Sequence, residues 1–284
     1  MAGTLDEWLA AQERHSANAL AAAVSAVHLA HQRPAFGQTV RPARGSILAS
    51  TVPALWDPEP DYFYHWLRDG AVVMLAARLL PDVPEWRTRF ADYVAFSHTI
   101  ATRPGPSANP WRSTTIPTAR KFLREDAGLS ALTGDALLNE PRVNADGSAD
   151  FEKWGRPQYD GPALRALSCL AWQDGCGDEG RPAALADLLR LDLAHVVRHA
   201  AAPSIGPWED EPAAVHAFVL LAQMAALRAG RAMVGSEAAP AMAAIVSALE
   251  GLEVPGGWLR HASLAGSQDT DASTVLGALL VAPP

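Results

Sequence analysis

Tyr62-Phe63-Tyr64-His65-Trp66-Leu67-Arg68-Asp69-Gly70 packs aromatic rings, a fixed cation and a carboxylate into one short stretch. It runs without a break into Ala71-Val72-Val73-Met74-Leu75. The apolar continuation reads as a helix, and so much polar and aromatic hardware at its start reads as the rim of a site that the helix body supports. Tyr and Trp faces suit the C–H faces of sugar rings. An Arg beside an Asp offers fixed donors next to a fixed acceptor, which suits a polyhydroxylated ligand. A structural Arg68–Asp69 bridge at a helix N-terminus accounts for the same residues.

Working outward, two more stretches share this character. Trp154-Gly155-Arg156-Pro157-Gln158-Tyr159-Asp160-Gly161-Pro162 is polar, aromatic and stiffened by two prolines directly before a predicted helix. Ile205-Gly206-Pro207-Trp208-Glu209-Asp210-Glu211-Pro212 sets three consecutive acids behind a Trp, again at a helix start. Neighbouring carboxylates repel one another, and an indole wall lowers the local dielectric. Both effects raise a carboxyl pKa, as a general acid working near neutrality requires. The alternative readings are plain: acids at a helix N-terminus are favourable with the macrodipole, a lone Trp is usually core, and Arg156 and Asp160, four apart, can pair. Recurrence at three helix starts favours a site.

The rest of the chain reads as helix. Thr4-Leu5-Asp6-Glu7 has the form of a capping box, opening a helix with Leu5, Trp8, Leu9, Leu20, Val24 and Val27 that should end before Pro34. The central helix should run to about Leu80, and Pro84-Glu85-Trp86 opens another with Phe90, Tyr93, Val94, Phe96 and Ile100. Further helices are expected over 163–173, 181–199, 212–231 and 241–249, with another element starting at Asp271. Residues 104–117 and 139–154 have no period and read as loop. About seven helices with hardly any strand signal predict an all-α layered fold with function gathered at one end, and helices alternating in pairs would fit an α/α toroid.

Composition narrows the function classes. The chain has 284 residues, with 23 basic against 31 acidic ones and a formal net charge of −8. No Lys/Arg run occurs, which argues against nucleic acid or an anionic membrane as partner. Mean hydropathy is near zero, and no apolar run is expected to approach the ~18 residues of a membrane span. The N-terminus lacks a basic segment followed by an apolar one, so no signal peptide is expected and cytoplasmic residence is the default. Cys169 and Cys176, about 10 Å apart along a predicted helix, are too far apart to bridge and read as buried thiols. The His residues are scattered, His216 reads as packed or surface, and no His/Cys cluster with metal-ligand spacing, phosphate loop or G-x-S-x-G elbow stands out. No cofactor or metal is expected.

Taken in order, these stretches resemble the glucoamylases of glycoside hydrolase family 15. Thr4 to Leu9 resembles the family's opening helix, Asp61 to Asp69 its aromatic W-x-R-D segment, and Asn139 to Asn144 followed by Trp154 to Ala166 its G-R-P-Q-x-D-G-P-A-L-R segment. Trp208-Glu209-Asp210 falls where the family has W-E-E, and Asp271-Ala272-Ser273-Thr274-Val275-Leu276-Gly277 resembles its D-A-N-T-I-L-G. The resemblance implies an (α/α)6 toroid of six inner and six outer helices, here incomplete, formed by residues 1–284 as one C-terminally truncated catalytic domain. It implies release of terminal α-1,4-linked glucose from non-reducing ends of α-glucans or malto-oligosaccharides, with inversion. By position, Glu209 is then the general acid. Arg68 and Asp69 hold the terminal glucose, Tyr62 and Trp66 line that subsite, and Trp154, Trp208 and Arg156 shape the acid's surroundings. Asp210 stands in place of a second Glu, one methylene shorter. The family's catalytic base lies farther downstream than this chain reaches, and Asp269 and Asp271 are expected to be structural. A non-catalytic α-glucan-binding module, or a glycosidase acting on trehalose or α-1,6 linkages, fits the same residues.

Overall fold

A computed structural model describes residues 4–52, 61–80, 84–173, 181–209, 212–264 and 270–282. Among them the long helices are α1 (Leu5–Ala23), α2 (Leu67–Ala77), α3 (Pro84–Thr102), α5 (Asp160–Gln173), α6 (Leu185–Arg198), α7 (Ala217–Ala229), α9 (Ala238–Glu250) and α10 (Ala272–Val281). Two shorter ones, α4 (Asp126–Ser130) and α8 (Arg231–Val234), lie between. The eight long helices alternate between two layers. α2, α5, α7 and α10 form a contiguous inner row, each packed on the next, while α3, α6 and α9 form an outer row and α1 lies against α2. The result is four helix pairs of an (α/α)6-type toroid, one long helix more than the periodicity suggests.

The layers follow from the sequence of each helix. In α7, residues 217–227 are buried all round, the mark of an inner helix. In α6 the buried residues include Leu185, Leu188, Leu189, Leu193 and Val196, one face at helical spacing, with Asp192 on the same face. Asp192 receives Nε and Nη2 of Arg165 on α5 at 2.9 and 2.7 Å, with both side chains fully buried. At the start of α1, Glu7 N–H donates to Thr4 Oγ1 at 3.3 Å and Thr4 N–H to Glu7 Oε2 at 2.8 Å, as the capping box requires.

Strands appear where almost none were expected. β1 (His31–Arg33) pairs with β2 (Gln38–Val40), β3 (Tyr64–Trp66) with β4 (Arg142–Asn144), and β5 (Glu253–Val254) with β6 (Gly257–Trp258). They are two or three residues long, too short to show a period of two. α1 accordingly stops at Ala23, well before Pro34, because Val24 turns extended and bridges Ile47. The unperiodic segments are packed as well: Phe36, Trp111, Leu123, Leu129 and Phe151 form a second apolar core beneath them.

Two sequence readings change here. Leu5, Trp8 and Leu9 of α1 are exposed while Leu20, Ala21 and Ala23 pack on the core, so only the C-terminal part of its apolar stripe is buried. Arg231–Glu250 does reach the length and mean hydropathy (1.4) of a membrane span, and 17% of that window is buried. A 3-10 turn at Gly235–Glu237 divides it, and Arg231, Glu237 and Glu250 lie within it. Cys169 is buried and free, whereas Cys176 lies outside the described residues.

Candidate active site

Tyr64–Trp66 of the central stretch is a strand, and only Leu67 onward is helix. Aromatic side chains favour the pleated surface, and β4 supplies the partner: Trp66 lies opposite Arg142, and Tyr64 opposite Asn144. Leu67 N–H donates to Pro141 O at 2.9 Å, fixing the point where β3 gives way to α2. Side chains of opposed residues share a face. The Arg142 guanidinium therefore sits 4.0 Å from the Tyr64 ring centre, 5.0 Å from Trp66 and 3.9 Å from Trp154. Asp150 and Glu152 hold it from the other side.

Over this aromatic floor lies Glu209. Its Oε2 accepts from Trp154 Nε1 at 2.6 Å, and its Oε1 from Gln158 Nε2 at 2.7 Å, Arg68 Nη2 at 3.2 Å and Trp66 Nε1 at 3.3 Å. The three stretches picked from the sequence thus converge on one carboxylate. The Trp residues act on it as N–H donors, and not only as the apolar wall that the sequence suggested. Glu209 has a left-handed backbone (φ 59), a sparsely populated conformation for a non-glycine residue that is found preferentially at functional sites.

Arg68 is the hub. Its Nη1 donates to Asp160 Oδ2 at 2.7 Å and to Gln158 Oε1 at 3.0 Å, while Nη2 reaches Glu209. Burial opposes its charge, yet Asp160, Asp69 and Glu209 together hold its pKa above the ordinary value. The Arg68–Asp69 bridge is not formed, because adjacent residues on a helix do not face each other. Asp69 sits in the first turn of α2, its carboxyl held above the usual range by burial, which neighbouring Arg68 opposes and repulsion from Glu209 and Asp160 reinforces. Asp160 is fully buried beneath Arg68. Gln158 had no role in the sequence reading, and Asp160 was read only as a possible partner of Arg156, whereas it pairs with Arg68. The impossibility of an i,i+1 pair at Arg68 was the available signal that its partner lay elsewhere.

A cleft of about 360 Å³ opens over these groups, lined by Tyr62, Trp66, Arg68, Asp69, Trp208 and Glu209, with Val72, Pro207, Phe218, Ser273 and Leu276 completing it. Tyr62 and Trp208 stand about half exposed at its mouth. Trp208 Nε1 donates to Asp271 Oδ2 at 2.7 Å, and Oδ1 of Asp271 caps α10 through Ser273 N–H and Thr274 N–H. Asp271 thus ties Trp208 to the start of α10. Arg156 lies behind the site: it bonds Glu140 at 2.9 Å, Asp150 at 2.7 Å and the Trp154 carbonyl at 3.0 Å, and it pairs with neither Asp160 nor Glu209. The peptide between Arg156 and Pro157 is cis. Asp210 and Asp269 lie outside the described residues. His216 is packed, its ring 5.0 Å from that of His261.

The described residues also bring together Asp135, His195 and His199, a grouping of metal-ligand type that the sequence reading passed over. It lies apart from the cleft.

Comparison with known proteins places this geometry in context. A family model described as glycosyl hydrolases family 15 matches residues 34–280. Glucoamylase-1 of Schizophyllum commune is 27% identical over 259 residues, covering 87% of this chain and 40% of its own length. The intracellular sporulation-specific glucoamylase of Saccharomyces cerevisiae is 26% identical over 182 residues, 59% of this chain and 29% of that protein. The chain therefore spans well under half the length of these relatives. Among solved structures, a family 15 glucoamylase from Hypocrea jecorina matches with TM-score 0.65 and 20% identity over 89% of this chain and 39% of that one. The Hormoconis resinae glucoamylase matches with TM-score 0.64 and 22% identity over 95% and 42%. At such identities the structural likeness speaks for the fold.

Proposed function

The chain belongs to the glycosyl hydrolases of family 15, and on that premise we propose that it carries the acid and the terminal-sugar subsite of an inverting α-glucosidase. In this reading Glu209 protonates the glycosidic oxygen of a terminal α-1,4-linked glucose on an α-glucan or malto-oligosaccharide. Arg68 and Asp69 bind that glucose through its hydroxyls, and Tyr62, Trp66 and Trp208 line its ring. Trp154 holds Glu209 in place, and Arg156 acts on the site through the Trp154 carbonyl. Asp210 is proposed to contact the next sugar.

The observation that carries this reading is the convergence of Trp66, Arg68, Trp154 and Gln158 on one carboxylate at the floor of a cleft. A protonated carboxyl presents an O–H that needs an acceptor. The surrounding groups are all donors, so the glycosidic oxygen of a bound sugar is the natural acceptor for that proton. A hydroxyl taking up Arg68 Nη2 would release one of the four donors from Glu209. Inversion further needs a second carboxylate about 6.5–9.5 Å from the acid, with water between. Among the described cleft residues the other carboxylate is Asp69, which this reading assigns to hydroxyl binding.

Glucose release from maltose and longer maltodextrins by wild type and Glu209→Gln tests the assignment. The variant, which keeps the side-chain shape, is expected to lose at least ~10²-fold in kcat. Equal rates for the two proteins would overturn it. The donor-only surroundings of Glu209 also favour a second reading, in which the cleft binds an α-glucan without turnover. Calorimetric titration with maltose separates the two, since that reading predicts heat of binding with no glucose released.

A further inference from the structure

Outside the cleft, the C-terminal end of α6 and the 3-10 turn Gly134–Asn139 meet face to face. His195 and His199, four apart, lie on one side of the helix. His195 Nδ1 is 2.8 Å from Asp135 Oδ1, and His199 Nε2 is 2.8 Å from Asp135 Oδ2. The three ligand atoms lie within 4.8 Å of one another. Bonds of about 2.0–2.1 Å to a tetrahedral ion would place such atoms roughly 3.3 Å apart, so modest side-chain adjustment completes the geometry. We infer that Asp135, His195 and His199 form a binding site for a divalent transition metal of the Zn²⁺ type.

Three features argue for a built site. The turn and α6 come from segments about 60 residues apart, yet each contributes the ligand type that borderline-soft divalent ions prefer. His195 is fully buried, and its Nε2 has no hydrogen-bond partner among the described residues, which leaves Nδ1, aimed at Asp135, as its working nitrogen. His199 is held edge-on to the site by Tyr159, stacked at 4.5 Å with an interplanar angle of 16°. A cleft of about 420 Å³ lined by Asp135, Arg190 and Arg198 adjoins the group and gives an entry path and room for a water ligand. Arg198 competes: its guanidinium also bonds Asp135 Oδ1. It is 55% exposed, so it is free to turn into solvent when an ion takes the carboxylate. The bound ion would clamp the turn to α6 beneath Tyr159, the residue between Gln158 and Asp160.

The test uses the full chain, freed of metal with a chelator and titrated with Co²⁺, followed by its visible d–d bands, and with Zn²⁺ by calorimetry. One equivalent is expected, with the absorption of a tetrahedral or five-coordinate Co²⁺ centre and a rise in Tm on Zn²⁺ addition. His199→Ala should weaken binding by about 100-fold or more, since even outer-shell partners of metal ligands are worth 10–100-fold. Arg198→Gln, a surface change that leaves the three ligands intact, should bind more tightly than wild type because it removes the competing cation. A purely structural Asp–His–Arg network predicts no ion uptake. Absence of heat and of d–d bands at millimolar metal would overturn the inference. So would wild-type affinity in both variants, which would place the ion elsewhere.

Discussion

His65 shows how one residue of the aromatic stretch serves the fold while Trp66 beside it serves the cleft. Strand alternation turns Tyr64 and Trp66 toward Arg142 and sends His65 inward, where Nδ1 lies 2.9 Å from Ile47 N and the ring packs on Phe96 at 4.9 Å. Burial, with the nearby charge of Arg165 adding to it, pushes its pKa down to about 3. The unfolded chain takes up a proton on this residue as pH falls through about 6.5, and the folded chain does not. The folded state therefore loses stability relative to the unfolded one across that window. Glu152, raised to about 7 mainly by burial and by Asp150, works in the opposite direction over part of the same range. A comparison with His65→Asn isolates the histidine. From pH 7 to pH 5 the wild type should lose about 2 kcal/mol relative to that variant in urea unfolding. Parallel pH profiles would show that His65 is not held neutral. Arg68 makes a complementary point, because its partners Asp160 and Gln158 stand about 90 residues away in sequence.

At the scale of elements, the inner helices approach closely through glycines. A Cβ on Gly161 of α5 would meet Leu67 Cβ of α2 at 2.8 Å, and one on Gly277 of α10 would meet Leu221 Cδ1 of α7 at 2.8 Å. At Gly161 there is no room for a methyl group unless the helices move apart, because Cβ is fixed to the backbone, whereas at Gly277 the Leu221 side chain must turn aside. Gly161→Ala is expected to cost about 1–3 kcal/mol in urea unfolding, and the shift falls on Leu67–Arg68, at the start of the cleft. The contrast is Gly251, which ends α9 in right-handed backbone, its nearest neighbour to a new Cβ being Ala248 O at 3.4 Å. There Ala should stabilise by about 0.4–1 kcal/mol through the unfolded chain. Loss of stability at both positions would mean that close approach is not what distinguishes Gly161. Elements were also where the sequence was least legible. α3 matches its predicted start at Pro84, because a proline in the first turn is a local signal. β3 was hidden because its partner β4 lies about 80 residues downstream.

For the whole molecule, the two layers make a gradient of protection. α5 and α7 are covered by neighbours on both sides, whereas α1 exposes Leu5, Trp8 and Leu9, and α10 exposes Val275, Leu276 and Leu279. Native-state hydrogen exchange should therefore be slowest in α5 and α7 and fastest in α1 and α10, the latter through local openings far below the global free energy. Uniform protection across all four helices in exchange mass spectrometry would contradict this layering. The cleft lies between α2 on the protected side and α10 on the less protected one, so its α10 wall, with Ser273 and Leu276, is expected to be the more mobile side.

By itself the sequence determined that the chain is mostly helical, in an order compatible with alternating pairs, and which three stretches carry aromatic and charged groups suited to a sugar. Helical period, proline positions and side-chain chemistry are local properties, readable without coordinates. Only the tertiary structure decided who meets whom. It joined Arg68 to Asp160, turned two indoles into hydrogen-bond donors to Glu209, set Arg156 behind Trp154, and drew His195 and His199 to Asp135. Those pairings depend on how helices and two- or three-residue ladders fold across tens to more than a hundred positions. A buried charge must find its partner wherever the chain brings one, and nothing in its own neighbourhood announces it.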